Sequence, residues 1–182
     1  MPKKTSRQLV IDASVARAAG GEETQNPTSK NCRGILIAVL KICHQIVMTL
    51  EVYEEWRKHQ SNFANEWRAS MVARKKLHIV RNTENTDLRY RIEETAKKAR
   101  DRKAMLKDIH MIEAALASDR IVISLDEIVR TLFSEASQTV KELKTVAWSN
   151  PDKIDDHCLN WLEEGAKLEK KRLLGFSIQD QG

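Results

Sequence analysis

Four acidic positions stand out because each follows a short apolar run or opens an apolar helix. Asp12 closes Leu9-Val10-Ile11, and Asp126 comes just after Ile121-Val122-Ile123-Ser124. Glu54 and Glu55 follow Ile46-Val47-Met48-Thr49 by one or two helical turns, and Asp108 opens the apolar stretch 109–117. Short β-rich runs closed by a polar residue read as buried strands. In an open parallel sheet the ligand crevice forms outside the carboxyl ends of the strands. Carboxylates drawn into one crevice repel one another unless a cation offsets their charge. Magnesium and manganese suit such oxygen donors, and a divalent ion there activates water and steadies phosphoryl oxygens. The chemistry favoured by these residue types is phosphodiester hydrolysis. Taken singly, each acid has a plainer reading. Asp12 and Asp126 could be helix N-caps, Asp108 a first-turn acid facing the helix dipole, Glu54 and Glu55 a solvated face, and Asp119 a turn residue. The joint placement is what points to chemistry.

The elements that must position these acids follow from periodicity. After the first strand, residues 13–19 read as a short helix stopped by Gly20-Gly21, and 22–28 as a polar loop containing Pro27. Thr28 or Ser29 caps a helix reaching about residue 44, with Ile35, Val39, Ile42 and Cys43 on one face. The second strand, 46–49, leads into helices over 51–58 and 61–76, and then a strand at 77–80. Residues 87–116 read as helical with a break near 101–107. A strand at 121–124, a helix at 127–137 and a last strand at 146–148 follow. Asn150-Pro151 opens a final helix through Leu159, Leu162 and Ala166, and 167–182 is a charged tail. Strands that alternate with helices imply a three-layer α/β/α fold with a mostly parallel central sheet. Residues 1–150 then form the domain, and 151–182 a helical extension and tail.

Composition is consistent with this. The 182 residues are 41% hydrophobic, enough for a real core, and carry a formal net charge of +5. A mild basic excess favours acidic partners, nucleic acid foremost, without requiring them. No apolar stretch approaches the ~20 residues a membrane span needs. The run 9–11 is too short for a signal-peptide core. The expectation is a soluble cytoplasmic protein with no membrane partner. Its three cysteines, odd in number and widely spaced, fit reduced thiols.

Arg74, Lys75 and Lys76 cluster before the third strand, and Lys97, Lys98 and Arg100 follow on the long helical stretch. A nuclease needs positive charge beside its acids to hold the flanking phosphates, so these six are candidate RNA contacts. The competing reading is a solvated helix balanced by Glu93, Glu94 and Asp101. Trp56, Trp67, Trp148 and Trp161 lie mostly on apolar stripes and read as core. Cys43-His44 and His157-Cys158 lack the usual zinc spacings.

At the acidic positions the sequence resembles the PIN-domain nucleases, including the toxin ribonucleases of bacterial toxin–antitoxin pairs. Leu9-Val10-Ile11-Asp12-Ala13-Ser14 is similar to the family's opening strand with its Asp and following Ser. The segment from Val47 to Trp56 is similar to the strand and helix that bear one acid, with Glu55 in register and Glu54 as the fallback. Lys107-Asp108 through Ala115-Leu116 is similar to the helix that opens with Asp and then packs small residues. Ile121 through Asp126 is similar to the closing strand with a hydroxyl and then an acid. The blocks come in family order and span residues 9–126. The resemblance implies an endoribonuclease acting on single-stranded or structured RNA, with Mg²⁺ or Mn²⁺ held by Asp12, Glu55, Asp108 and Asp126. It implies Ser14 and Ser124 as supporting hydroxyls, frequent homodimers and an inhibitory antitoxin-like partner. Two positions depart from the pattern. Glu127 adds charge beside Asp126, and Glu113 puts an acid in a packed helix, where it is expected to face solvent because Glu is rarely buried unpaired. The rival is an inactive RNA-binding or scaffold protein on the same fold. A phosphoacceptor domain also places acids at strand ends, but the short gap from Asp108 to Asp126 suits it poorly.

Overall fold

The computed structural model describes residues 5–176. Five short strands form one sheet: β1 (Gln8–Ile11), β2 (Gln45–Met48), β3 (Leu77–Ile79), β4 (Ile121–Ile123) and β5 (Ala147–Ser149). Their spatial order is β3-β2-β1-β4-β5 and every neighbouring pair is parallel. The three-layer α/β/α expectation holds. Parallel strands are covered on both faces and so read as apolar runs rather than alternations. Leu9, Val10, Ile11, Ile46, Val47, Met48, Ile121, Val122 and Ile123 are all buried.

Among the described residues seven α-helices connect the strands, α1 (Ala13–Ala18), α2 (Pro27–Ile42), α3 (Leu50–His59), α4 (Asn62–Ala73), α5 (Thr86–Thr95), α6 (Ala99–Leu116) and α7 (Glu127–Ala136), and α8 (Cys158–Glu163) follows β5. α6 lies against β1, β2 and β4, with α5 and α7 packed on it, while α2 packs with α4 and α8. The strand order explains the two layers. The chain steps outward from β1 to β2 to β3, then returns to lay β4 on the other side of β1. Right-handed crossovers in opposite directions put helices on opposite faces. The reversal also makes a topological switch point between β1 and β4, where such sheets open a crevice.

Local chemistry sets the helix starts. Asn26, rather than Thr28 or Ser29, caps α2: its side chain accepts the Thr28 and Ser29 N–H groups, with Pro27 at the first helical position. Thr49 caps α3 and Ser61 caps α4 in the same way. All four tryptophans are buried, as their apolar stripes imply, and Trp56 and Trp67 stack with ring centroids 5.7 Å apart.

Two expectations are corrected. The break in the 87–116 stretch falls at residues 96–98, where Ala96 and Lys98 are extended, so 101–107 is continuous helix and Asp108 lies inside α6. Residues 101–107 hold no Gly or Pro, and burial of Leu88 and Ile92 sets the turn of α5 onto α6. The helix expected from Asn150 is instead a turn, a 3₁₀ turn at Ile154–Asp156 and the short α8, with His157 at φ 41°. Asn150 Oδ1 accepts the Asp152 N–H, and Asp156 is drawn to Arg130, so the segment follows side-chain bonds instead of helix bonds. Of the charged tail expected at 167–182, residues 167–176 pack on the domain and 177–182 lie outside the described residues. Arg172 and Leu174 are buried, and Leu173 bridges Ala147 antiparallel, covering the outer edge of β5. Trp161, Leu162 and Leu174 belong to the same core as the sheet. Among the described residues no helix is long and apolar enough to cross a membrane, and all three cysteines are free.

Candidate functional site

The four acids expected from the sequence line one cleft of about 190 Å³ at the carboxyl ends of β1 and β4. Each arrives on a different element. Asp12 follows β1 directly, and its N–H donates to the Ile123 carbonyl, continuing the β1–β4 pairing. Asp126 stands at the N-cap of α7, with Oδ1 accepting the Val129 N–H at 2.9 Å. Glu55 comes one turn into α3, and Asp108 from the middle of α6. Glu54 is exposed and does not line the cleft, which resolves the choice between the two neighbours in position.

Asp12 is the best-fixed of the four. Its Oδ2 accepts the Ser14 hydroxyl at 2.5 Å and the Ser124 hydroxyl at 2.8 Å. Those hydroxyls in turn accept the backbone N–H groups of Leu125 and Asp126. The two serines therefore tie the end of β1 to the end of β4. Asp12 occupies an N-cap position but makes no capping bond, so the plainer reading does not account for it. For Asp126 both readings hold at once, because one oxygen caps α7 while the residue faces the cleft. Trp56 sets the fourth side: its indole N–H donates to the Ile11 carbonyl at 2.8 Å, pinning α3 beside Asp12.

The electrostatics are those of an under-neutralised site. Asp108 is 9% exposed and accepts no hydrogen bond among the described residues. Burial, then the charge of Asp12, pushes its carboxyl up from 3.8 to about 7; Asp126 and Glu55 add to the rise and Lys107 opposes it. All the donors are carboxylate oxygens, the chemistry a hard divalent cation takes. Among the described residues no three His, Cys, Asp or Glu side chains already stand as a closed ligand set. The acids share the cleft without converging on one point. The donor chemistry fits Mg²⁺ or Mn²⁺.

Three basic side chains on the same cleft were not singled out from the sequence: Arg17 on α1, His59 on α3 and Lys107 on α6, all exposed and none in an ion pair among the described residues. A signal existed for two of them. His59 is four residues after Glu55, on the same helical face, and Lys107 adjoins Asp108.

The six basic residues expected to contact RNA separate into two groups. Arg74, Lys75 and Lys76 precede β3, at the amino ends of the parallel strands and so on the opposite edge from the cleft. Lys97 and Lys98 line a groove of about 1030 Å³ between the α5–α6 elbow and α7. Met105 on α6 and Leu132 on α7 line that groove, while Asp108 on α6 and Asp126 at the cap of α7 line the cleft, so the same two helices contribute to both. Arg100 is exposed, 3.7 Å from Asp101.

The two departures also resolve. Glu113 is buried, at 4% exposed, contrary to the solvent-facing expectation. Arg89 holds it through both oxygens at 2.8 Å and the Asn85 N–H adds a third bond, so it is buried but paired. Glu127 turns away from the acids. Burial alone would raise its carboxyl, but the Asn150 amide and Arg130 hold it below the ordinary value, with Lys153 at 3.3 Å.

Compared with known proteins, the chain matches no family model, no curated protein and no solved structure.

Proposed function

We propose that this protein is a divalent-metal-dependent endoribonuclease of the PIN type. The observation that carries the reading is that Asp12, Glu55, Asp108 and Asp126, from four separate elements, line one cleft at the sheet's switch point. A magnesium or manganese ion bound there would supply Lewis acidity and charge neutralisation for phosphodiester hydrolysis. Asp12, Glu55, Asp108 and Asp126 are the residues that would hold it. Ser14 and Ser124 keep the Asp12 carboxylate oriented by donating to one of its oxygens, leaving the other for the ligand. Arg17 and Lys107 sit on the rim and offer positive charge to the phosphates on either side of the bond that breaks. The groove bearing Lys97 and Lys98 draws on the same two helices, α6 and α7, and would offer a single strand a basic surface beyond the acids.

The test is cleavage of a mixed pool of single-stranded RNA by the purified protein in Mn²⁺, Mg²⁺ or EDTA, with Asp126→Asn beside the wild type. Asn is as good an N-cap as Asp, so this substitution removes the charge and keeps α7 capped. Cleavage that requires the metal and disappears in the variant supports the reading. A folded wild type that cuts nothing under any of these conditions shifts the weight to an RNA-binding or scaffold role on the same fold.

A further inference from the structure

Tyr90 stands on α5 with 62% of its surface open to solvent, the only exposed aromatic residue among those described, whereas all four tryptophans are buried. It lines the groove of about 1030 Å³ between the α5–α6 elbow and α7. Single exposed apolar side chains are ordinary on a protein surface. This one shares its groove with Met105, Leu132 and Ala136, so an aromatic wall and an apolar lining occur together. The volume is at the upper end for pockets that hold small organic groups.

The charged groups of the groove divide into matched and unmatched. Arg91 pairs with Asp87 at 2.8 Å and with Glu142 at 2.7 Å, and Asp101 lies 3.7 Å from Arg100. Glu94, Lys97, Lys98 and Glu135 are exposed and enter no ion pair among the described residues. A bare phosphate would meet as much negative as positive charge here, and an aliphatic group would leave all four unmatched. A flat ring with both donors and acceptors on its edge suits every part of the lining. Among the four RNA bases only guanine sets two N–H donors side by side, N1–H and N2–H, the pair that carboxylate oxygens accept. Its O6 and N7 are the acceptors that a lysine reads. Adenine and cytosine put a ring-nitrogen lone pair beside their amino group, and uracil sets one N–H between two carbonyls.

We propose that this groove is a guanosine subsite for the RNA strand. The base stacks on the Tyr90 ring, Glu94 and Glu135 accept its N1–H and N2–H, and Lys97 and Lys98 donate to O6, N7 and the adjoining phosphate. This rests on the RNA reading above and adds a base preference to it. Stacking on an aromatic ring tolerates any base, so the preference comes from the carboxylates. Met105 in the groove and Asp108 in the acid cleft stand one turn apart on α6, about 4.5 Å along its axis. A guanosine held here would set which linkage of the strand reaches the acids.

The experiment measures binding of short fluorescein-labelled single-stranded RNA to the full chain by anisotropy, in EDTA so that nothing is cut. The probes are an oligouridylate and the same oligomer with one central guanosine, inosine or adenosine. Wild type is expected to bind the guanosine oligomer ~10–100-fold more tightly than oligouridylate. Inosine, which lacks the 2-amino group, should lose most of that gain, and adenosine all of it. Tyr90→Ala should weaken the guanosine complex ~10–100-fold, while Tyr90→Phe keeps it, because stacking needs the ring and not the hydroxyl. The double variant Glu94→Ala/Glu135→Ala should bind guanosine and uridine oligomers alike, with no fall in affinity for oligouridylate. Equal affinity for all four probes, binding to none of them, or a guanosine preference that survives Tyr90→Ala overturns the inference, and the metal-dependent nuclease reading then stands on its own cleavage test. A guanosine preference that follows these variants, in a protein that cuts no RNA with Mn²⁺ or Mg²⁺, supports the subsite and overturns the nuclease reading.

Discussion

Asp126 and Glu127 are neighbours in sequence but belong to opposite kinds of polar region. Glu127 enters a network where charges are matched. It accepts from Asn150, Arg130 and Lys153, and Asp156 accepts from Arg130 at 2.8 Å and from the Asn150 N–H at 2.7 Å. Arg172 donates to the Asp156 carbonyl and Ser149, pairs with Glu169 and stacks 4.4 Å over the Trp161 ring. Asp126 enters a cleft where four carboxylates share space and two of them, Glu55 and Asp108, accept no hydrogen bond among the described residues. A satisfied buried network rigidifies what it touches, while an unsatisfied one is held in place by its surroundings. The matched network under the C-terminal segment thus fixes the ends of β4 and β5, and the cleft beside it keeps unmatched negative charge, which the proposed cation would offset.

Breaking the matched side should have the largest effect. Asp156→Ala leaves Arg130 with Glu127 and strands the buried Asn150 N–H, so the chain is expected to lose about 2–3 kcal/mol of stability, read as a fall of roughly 5–10 °C in melting temperature. Breaking the unmatched side should act on activity instead. Asp12→Asn is expected to lower metal-dependent RNA cleavage by at least about 100-fold, with circular dichroism and melting temperature close to wild type. An equally strong loss of stability would show that the cleft, too, is structural.

Asp108→Asn sharpens the contrast further, because it should stabilise the protein while disabling it. The folded chain holds the Asp108 proton more tightly than the unfolded chain, since burial and Asp12 raise the carboxyl from 3.8 to about 7. Its contribution to stability is complete below about pH 4 and is lost as the pH rises through about 7. The Asn variant has no charge to bury. Metal-free, it should melt higher than wild type above pH 7, by a few degrees for a gain of about 1–2 kcal/mol, and equally near pH 4. A wild-type-like pH profile in the variant would contradict this account of the cleft. The smallest effects belong to the rim. Arg17→Ala should weaken RNA binding modestly and reduce the salt slope by about one, whereas Lys75→Ala, on the far sheet edge, should leave both unchanged in filter binding across a salt series.

The strands and the acids were legible in the sequence for one reason. Buried parallel strands write their apolar runs continuously, and an acid at the end of such a run has few places to go but the carboxyl edge. Asp12 and Asp126 are placed by that logic alone. Glu55 needed its helix register, and α3 begins where Thr49 caps it. What stayed hidden was set by tertiary contact. Nothing local in 87–116 marks a break at 96–98, where no Gly or Pro stands. Glu113 reads as solvent-facing until Arg89, on another helix, is brought to it. The partner of the Asp156 carboxylate, Arg130, is 26 residues away. Pairings of this kind carry no periodicity, so residues 150–176 could not be resolved from pattern.

The bond from Ser124 to Asp12 closes a separation of 112 residues. During synthesis β1 emerges first and finds β2 within a few dozen residues, but its other edge stays open until β4 has been made. Long-range parallel pairing of this sort forms late and slowly. The growing chain therefore passes through a stage in which one edge of its most apolar strand is unpaired and the acids are still scattered, exposed to self-association but inert toward any ligand of the cleft. The cleft itself exists only once the β1–β4 pairing closes, so the proposed activity would depend on complete folding.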